Sequence, residues 1–208
     1  MDLSKAHLPA TVSLVMGLPD EYEVIKPVFV PGSRPDSSMR NSTSGQLRWL
    51  DLKATTDPTM IVSCTSPDHE GWLALRRNLF PHRSAEYLLA EMKTFCADPN
   101  RFAQFLSLSE GSTAVGLIEV SLRTDYVNGT SSSPVAYLES IFTVPSARRQ
   151  GIARAMVADA EIWARRQGCR EFASDALLHN VASHAMHGAL GFQESQRVVF
   201  FRKALDQV

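Results

Sequence analysis

Tyr137–Arg154, YLESIFTVPSARRQGIAR, reads as a strand that runs into a loop of backbone donors and then into a helix. Tyr137–Val144 is largely apolar and β-branched, and Pro145 cannot continue a central strand because it lacks the N–H a ladder needs. Gly151 stands where amides must lie bare, at the start of an amphipathic helix over Ile152–Trp163. In that helix Ile152, Met156, Ala160 and Trp163 recur at i, i+4, i+8 and i+11, so they face the sheet together, and Gly168 closes it. A helix start carries free N–H groups and roughly half a unit of positive charge. With Arg148, Arg149 and Arg154 beside it, such a start suits a pyrophosphate, although a basic cap on an ordinary surface helix reads the same way.

Outward from this stretch, the spacing predicts a strand over Glu171–Asp175, a helix over Asn180–Leu190 ending at Gly191-Phe192, and a last strand, Arg197–Lys203 (RVVFFRK). Upstream, Met60–Cys64 reads as a short strand. Pro67 and Asp68 open a helix with Trp72, Leu75 and Leu79 on one face, and Pro81 stops it. Ser84 caps a second helix through about Cys96. Phe102–Ser109 and Ala114–Leu122 form a hairpin around Glu110–Thr113, with Phe105, Val115, Leu117 and Val120 as core. The polar segment Arg123–Pro134 has the length of a binding loop, a solvated connector being the alternative. Hairpins followed by strand–helix alternation predict an α/β fold of the mixed α+β kind, with a mixed sheet and helices on both faces.

Residues 1–59 differ from the rest. They hold six of the eleven prolines and the polar run Gly32–Gly45 without a sustained period, and they read as a poorly ordered leader. A fusion or read-through ahead of an original start at Met60 is the other reading. From Met60 the 149 remaining residues carry fifteen basic and fifteen acidic side chains and suffice for one core. The whole chain balances 21 Lys+Arg against 22 Asp+Glu, which argues against a nucleic-acid scaffold. No apolar run exceeds four residues, so no membrane-spanning helix is expected. Three widely spaced cysteines fit reduced thiols, and a cytoplasmic location follows as the expectation.

Two carboxylates are placed suggestively. Glu139 interrupts an apolar strand just before the anion loop, and Asp175 stands at the C-terminal end of the next strand, where open sheets put their ligands. A charge in such a strand either meets a cation, as in a structural ion pair, or faces a wet cleft. Asn180, Ser183, His184 and His187 share one helical stripe that could line a cofactor cleft, with Val181, Ala185 and Ala189 towards the core. Surface histidines, ligand contacts and proton transfer all remain open for the pair, while a metal site lacks a third ligand of matching spacing.

The hexapeptide Arg148–Ala153 (RRQGIA) resembles the pyrophosphate loop of the GNAT acetyltransferase superfamily. The resemblance narrows across 60–208 to the aminoglycoside 6'-N-acetyltransferases. It is carried by Trp72–Pro81 (WLALRRNLFP), Asp125–Gly129 (DYVNG), Ser132–Phe142 (SSPVAYLESIF), Cys169–Asp175 (CREFASD) and Ser183–Lys203. It implies a GNAT fold with a central, mostly antiparallel, splayed sheet, and acetyl-CoA as co-substrate without a metal. Pantetheine would pair with backbone around Phe142 and Val144, the pyrophosphate would sit on the amides of Arg149, Gln150, Gly151, Ile152, Ala153 and Arg154, and Asn180 would touch the cofactor. Tyr126, Glu139 and Asp175 would hold the aminoglycoside against Phe80, with Glu139 as base for the 6'-amine. The thiolate's acid in many superfamily members is a tyrosine at the position of His187, and relatives commonly form homodimers. Another small amine, a peptide N-terminus, or CoA binding without catalysis are the alternative functions.

Overall fold

A computed structural model describes residues 60–199 and 201–204; the expected leader, 1–59, lies outside them. Five strands form one sheet in the order β1-β2-β3-β4-β5: β1 Met60–Ser63, β2 Phe102–Leu108, β3 Ala114–Arg123, β4 Val135–Thr143 and β5 Phe172–Ser174. All neighbours are antiparallel except β4 and β5, which a helix connects and which therefore run parallel. This is the expected mixed, mostly antiparallel sheet.

Successive residues of a strand point to opposite faces, and β3 shows both faces covered. Leu117 packs with Trp72, Leu75 and Met92 of α1 (Trp72–Leu79) and α2 (Ala85–Ala97). Ile118 and Val120 pack with Ile152, Met156, Val157 and Ala160 of α3 (Ile152–Arg166). Ser84 caps α2 by accepting the Tyr87 N–H at 3.2 Å, a contact of about 1 kcal/mol. The helix α1 begins at Trp72 rather than at Pro67-Asp68. Gly71 precedes it with φ 84°, where a Cβ would stand 2.4 Å from that of Ala114, so only glycine lets the chain enter so close to β3.

One irregularity sits at the centre of the sheet. Glu119 pairs with Ser140 but Val120 with Leu138, so Glu139 is an extra residue on β4, a β-bulge. The last helix, α4, covers Val181–Leu190 with Asn180 as its cap. Beyond it the expected strand Arg197–Lys203 is not formed: 192–199 and 201–204 have no regular structure, and Val198, Val199 and Phe201 are exposed. Strand propensity is present there, but a strand needs a neighbour for its N–H and C=O groups, and β5 pairs only with β4.

Candidate active site

The loop between β4 and α3 is built from two left-handed residues, Arg149 at φ 66° and Gly151 at φ 84°, after a single 3-10 turn over Pro145–Ala147. No side chain caps α3, so the N–H groups of Ile152, Ala153 and Arg154 have no acceptor within the helix. Side chains of this stretch shape the loop. Gln150 Nε2 donates to the Ser146 carbonyl at 3.3 Å, and Arg154 donates to the Ala189 carbonyl at 2.7 Å, at the C-terminal end of α4. Arg148 Nε donates to the Thr143 carbonyl at 3.0 Å. Bare amides between exposed guanidinium groups are what this loop offers an anion.

Beside it runs an open edge. Pairing of β4 with β5 stops at Leu138–Ser174, leaving the outer edge of β4 without a strand partner from Glu139 to Thr143 among the described residues. Val144, expected to pair with pantetheine, uses both its backbone groups internally: its N–H donates to Val115 and its carbonyl accepts from Ala147, each at 2.9 Å. By strand alternation Phe142 also turns towards β3, so the groups that reach the open edge belong to Ile141 and to the N–H of Thr143.

One face of the sheet gathers Ser121 and Arg123 of β3, Tyr137 and Glu139 of β4, and Asp175 just past β5. Glu139 accepts from the Ser121 hydroxyl and from Arg123 at 2.8 Å. The Arg123 guanidinium lies 3.3 Å from the centroid of the Tyr137 ring, and the Tyr137 hydroxyl donates to Asp175 Oδ1 at 2.6 Å. Burial, and then this bond to Asp175, raises the Tyr137 pKa, so the phenol remains a donor at neutral pH. The two carboxylates thus meet through one cation and one phenol. Tyr126 stands in the neighbouring loop, 77% exposed. Phe80 does not form an open wall; it is buried against Leu79, Leu88 and Phe142.

That loop is held by a residue the sequence reading passed over. The Glu171 carboxylate accepts the N–H groups of Ser131 and Ser132, at 3.0 and 2.6 Å, and the Ser132 hydroxyl. The Ser132 hydroxyl, followed by the Ser131 N–H, lowers its pKa. A lowered pKa means the contact is complete above the ordinary carboxylate range and fades as pH falls through the lowered value. Glu171→Gln is therefore expected to speed hydrogen exchange at the Ser131 and Ser132 amides at neutral pH, and exchange as slow as in the parent protein would refute the latch.

The helix α4 is turned the other way from the expectation. Val181, Ala185 and Ala189 are exposed, while Ser183 is buried and His184 and His187 face inward. Each polar group on this face finds a partner, which removes the penalty for burying it. Asn180 Oδ1 accepts the Ser183 N–H at 3.0 Å, and His184 Nε2 donates to the Leu177 carbonyl at 3.0 Å. His187 Nδ1 lies 2.8 Å from the Ser183 carbonyl and must donate there, so in the neutral ring Nε2 accepts from the Ser174 hydroxyl at 2.9 Å.

A second polar cluster, also unforeseen, lies under α1. Glu119, 2% exposed, accepts from Trp72 Nε1 at 2.8 Å and from the Ser140 hydroxyl at 2.6 Å, with Arg76 Nε 3.3 Å away. Glu119 carries the same signal that marked Glu139, a lone carboxylate inside an apolar strand. Burial, then the charges of Glu119 and Cys96, push the nearby Cys64 thiol up to about 12; burial also raises Cys96 and Cys169. Among the described residues no group of three His, Cys, Asp or Glu could hold a metal, and no helix is long and apolar enough to cross a membrane.

Residues 69–192 match the model of the Acetyltransferase (GNAT) family. The chain is 48% identical over 146 residues to an aminoglycoside N(6')-acetyltransferase type 1 of Serratia marcescens, covering 70% of this chain and 99% of that one. It is 49% identical over 132 residues to the enzyme of that name from Acinetobacter baumannii, covering 64% and 89%. Among solved structures, the 6'-N-acetyltransferase AAC(6')-Ih of Acinetobacter baumannii superposes with a TM-score of 0.67 at 44% identity, over 72% of this chain and 100% of that one. AAC(6')-Iy, solved with the bisubstrate analog CoA-S-monomethyl-acetylneamine, gives 0.67 at 37% identity, over 71% and 99%. A bare-amide loop after a splayed strand, an acid-lined face beside it and these likenesses agree: the chain belongs to the GNAT acetyltransferase family, among its aminoglycoside 6'-N-acetyltransferases.

Proposed function

We propose that the protein transfers the acetyl group of acetyl-CoA to the 6'-amine of aminoglycosides, by direct attack of the amine on the thioester, and so confers resistance. The observation that carries this reading is the position of Glu139, at the bulge where the anion loop's strand leaves β5 and within the acidic face. The cofactor's pyrophosphate rests on the amides of Ile152–Arg154 and its pantetheine lies along the open edge of β4. The aminoglycoside brings ammonium groups to Glu139 and Asp175, and Tyr126 closes on it from the loop. Glu139 takes the proton that the 6'-ammonium must lose before attack. The CoA thiolate leaves with a proton from water, or from His187 as the imidazolium, because the neutral ring carries its one hydrogen on Nδ1 and its Nε2 has none to give.

The test is CoA-thiol release by purified protein with acetyl-CoA and kanamycin, beside spermidine and a short peptide. Drug-dependent release with the product acetylated at the 6'-amine is expected. Release with the other amines alone would move the activity to a different acceptor, and no release would leave CoA binding without catalysis.

Asp175→Asn keeps an acceptor for the Tyr137 hydroxyl and removes only the charge. Loss of one charge-assisted bond, about 1.5–3 kcal/mol, corresponds to a roughly ten- to hundredfold weaker aminoglycoside affinity by calorimetry. An unchanged affinity would remove Asp175 from the drug site. A homodimer belongs to the same proposal, supported by Val198, Val199 and Phe201, 50%, 74% and 93% exposed in a segment of strand propensity that lacks a neighbour. Sedimentation of the full chain as a monomer would contradict it.

A further inference from the structure

The Glu119 cluster joins four elements at one point of the sheet. Trp72 and Arg76 reach it from α1, Glu91 from α2, and Ser140 from β4. Its charges cancel: Arg76 lies 2.7 Å from Glu91 and 3.3 Å from Glu119, and Arg83 completes the balance 3.5 Å from Glu91. Arg76 and Glu119 are 0% and 2% exposed. Burying such a pair costs several kcal/mol per ion before the attraction offsets it, so its net contribution to stability is small. An apolar cluster would hold the helices to the sheet at least as well.

What an apolar cluster could not do is grip a hydroxyl on β4. A bulge leaves one residue outside the ladder, and the strand can slide to heal it unless a neighbour is pinned. Ser140, adjacent to the extra residue Glu139 and opposite Glu119 in the register, is pinned by the Glu119 carboxylate. Tryptophan and arginine hold that carboxylate from the far side. On the near side Glu139 meets Ser121 and Arg123, two and four residues further along the strand that carries Glu119.

We propose that Glu119 is a positioning residue: it locks the β4 bulge through Ser140 and thereby aims Glu139 at the substrate. The inference rests on Glu139 being the base, and the experiment separates the two. Ser140→Ala and Trp72→Phe each remove one donor to Glu119 without leaving an uncompensated buried charge. Each is expected to lower kcat with kanamycin, Ser140→Ala by about 10- to 100-fold, the range that misplacing a reacting group by an ångström can reach. The KM for acetyl-CoA should change little. In a Glu139→Gln background neither substitution should lower kcat further, whereas their effects on Tm should be the same in both backgrounds. An equal kcat loss in both backgrounds would overturn the proposal. If Glu139→Gln by itself leaves kcat intact, the base assignment fails. Hydrogen exchange at the amides of Glu139–Ile141 then decides the positioning role: faster exchange in Ser140→Ala sustains the lock, and unchanged exchange overturns it.

Discussion

Glu139→Gln is expected to lower kcat by about 10²–10⁴-fold, the usual contribution of a general base, while acetyl-CoA binding stays within a few-fold of the parent. The substitution is nearly isosteric. The Gln carbonyl still accepts from Arg123 or Ser121, so β3 and β4 keep their register and a loss of rate cannot be assigned to unfolding. What disappears is the anion that can take a proton. The ion pair with Arg123 makes this an informative case, because it supplies the alternative that Glu139 is structural. If pairing with Arg123 were its whole role, the amide would lower Tm and leave kcat alone. Steady-state kinetics with kanamycin together with a melting curve distinguish the two. An unchanged kcat would remove Glu139 as the base.

Gly151→Ala is expected to raise the KM for acetyl-CoA by about 10- to 100-fold with little change in kcat at saturation. The residue sits at φ 84°, a conformation that costs an L-residue with a side chain about 1–2 kcal/mol. A Cβ built there meets no protein atom within 4 Å, so the chain itself offers no steric objection. The new residue relaxes instead by rotating its backbone, which turns the first amides of α3 away from their common focus. One charge-assisted bond lost to the pyrophosphate, about 1.5–3 kcal/mol, gives the stated change. Titration of the protein with CoA by calorimetry isolates the binding step. Unaltered CoA affinity would show that the amides of this turn do not hold the cofactor.

Much of this site could be read before the fold was known, for reasons that vary by residue. Gly151, the Pro145 stop and the period of α3 are local signals, and the structure keeps all of them. The meeting of Glu139 with Arg123, Tyr137 and Asp175 is not local; it depends on the register of three strands, and the sequence offered only the oddity of a carboxylate among apolar residues. That oddity also marked Glu119, where it went unused. Misreading α4 has a different cause. Val181, Ala185 and Ala189 looked like a core stripe, but two of them are alanines with little area to bury, and the opposite stripe satisfies its polar atoms on β5 and on its own backbone. The Arg197–Lys203 segment illustrates the limit of propensity, since β-branched and aromatic residues become a strand only where they pair with an edge, and here β5 pairs with β4 alone. Glu171 gave no warning, because its ligands are backbone amides forty residues away.

The three cysteines have a bearing on how this enzyme can be watched. Every turnover liberates a thiol, and a disulfide reagent that detects it reacts with thiolates, not thiols. Cys64 is buried with its ionisation moved up to about 12, and burial raises Cys96 and Cys169 as well. At neutral pH the protein's own sulfurs therefore stay protonated and slow. They are expected to react more slowly than the released coenzyme, which dominates the optical signal.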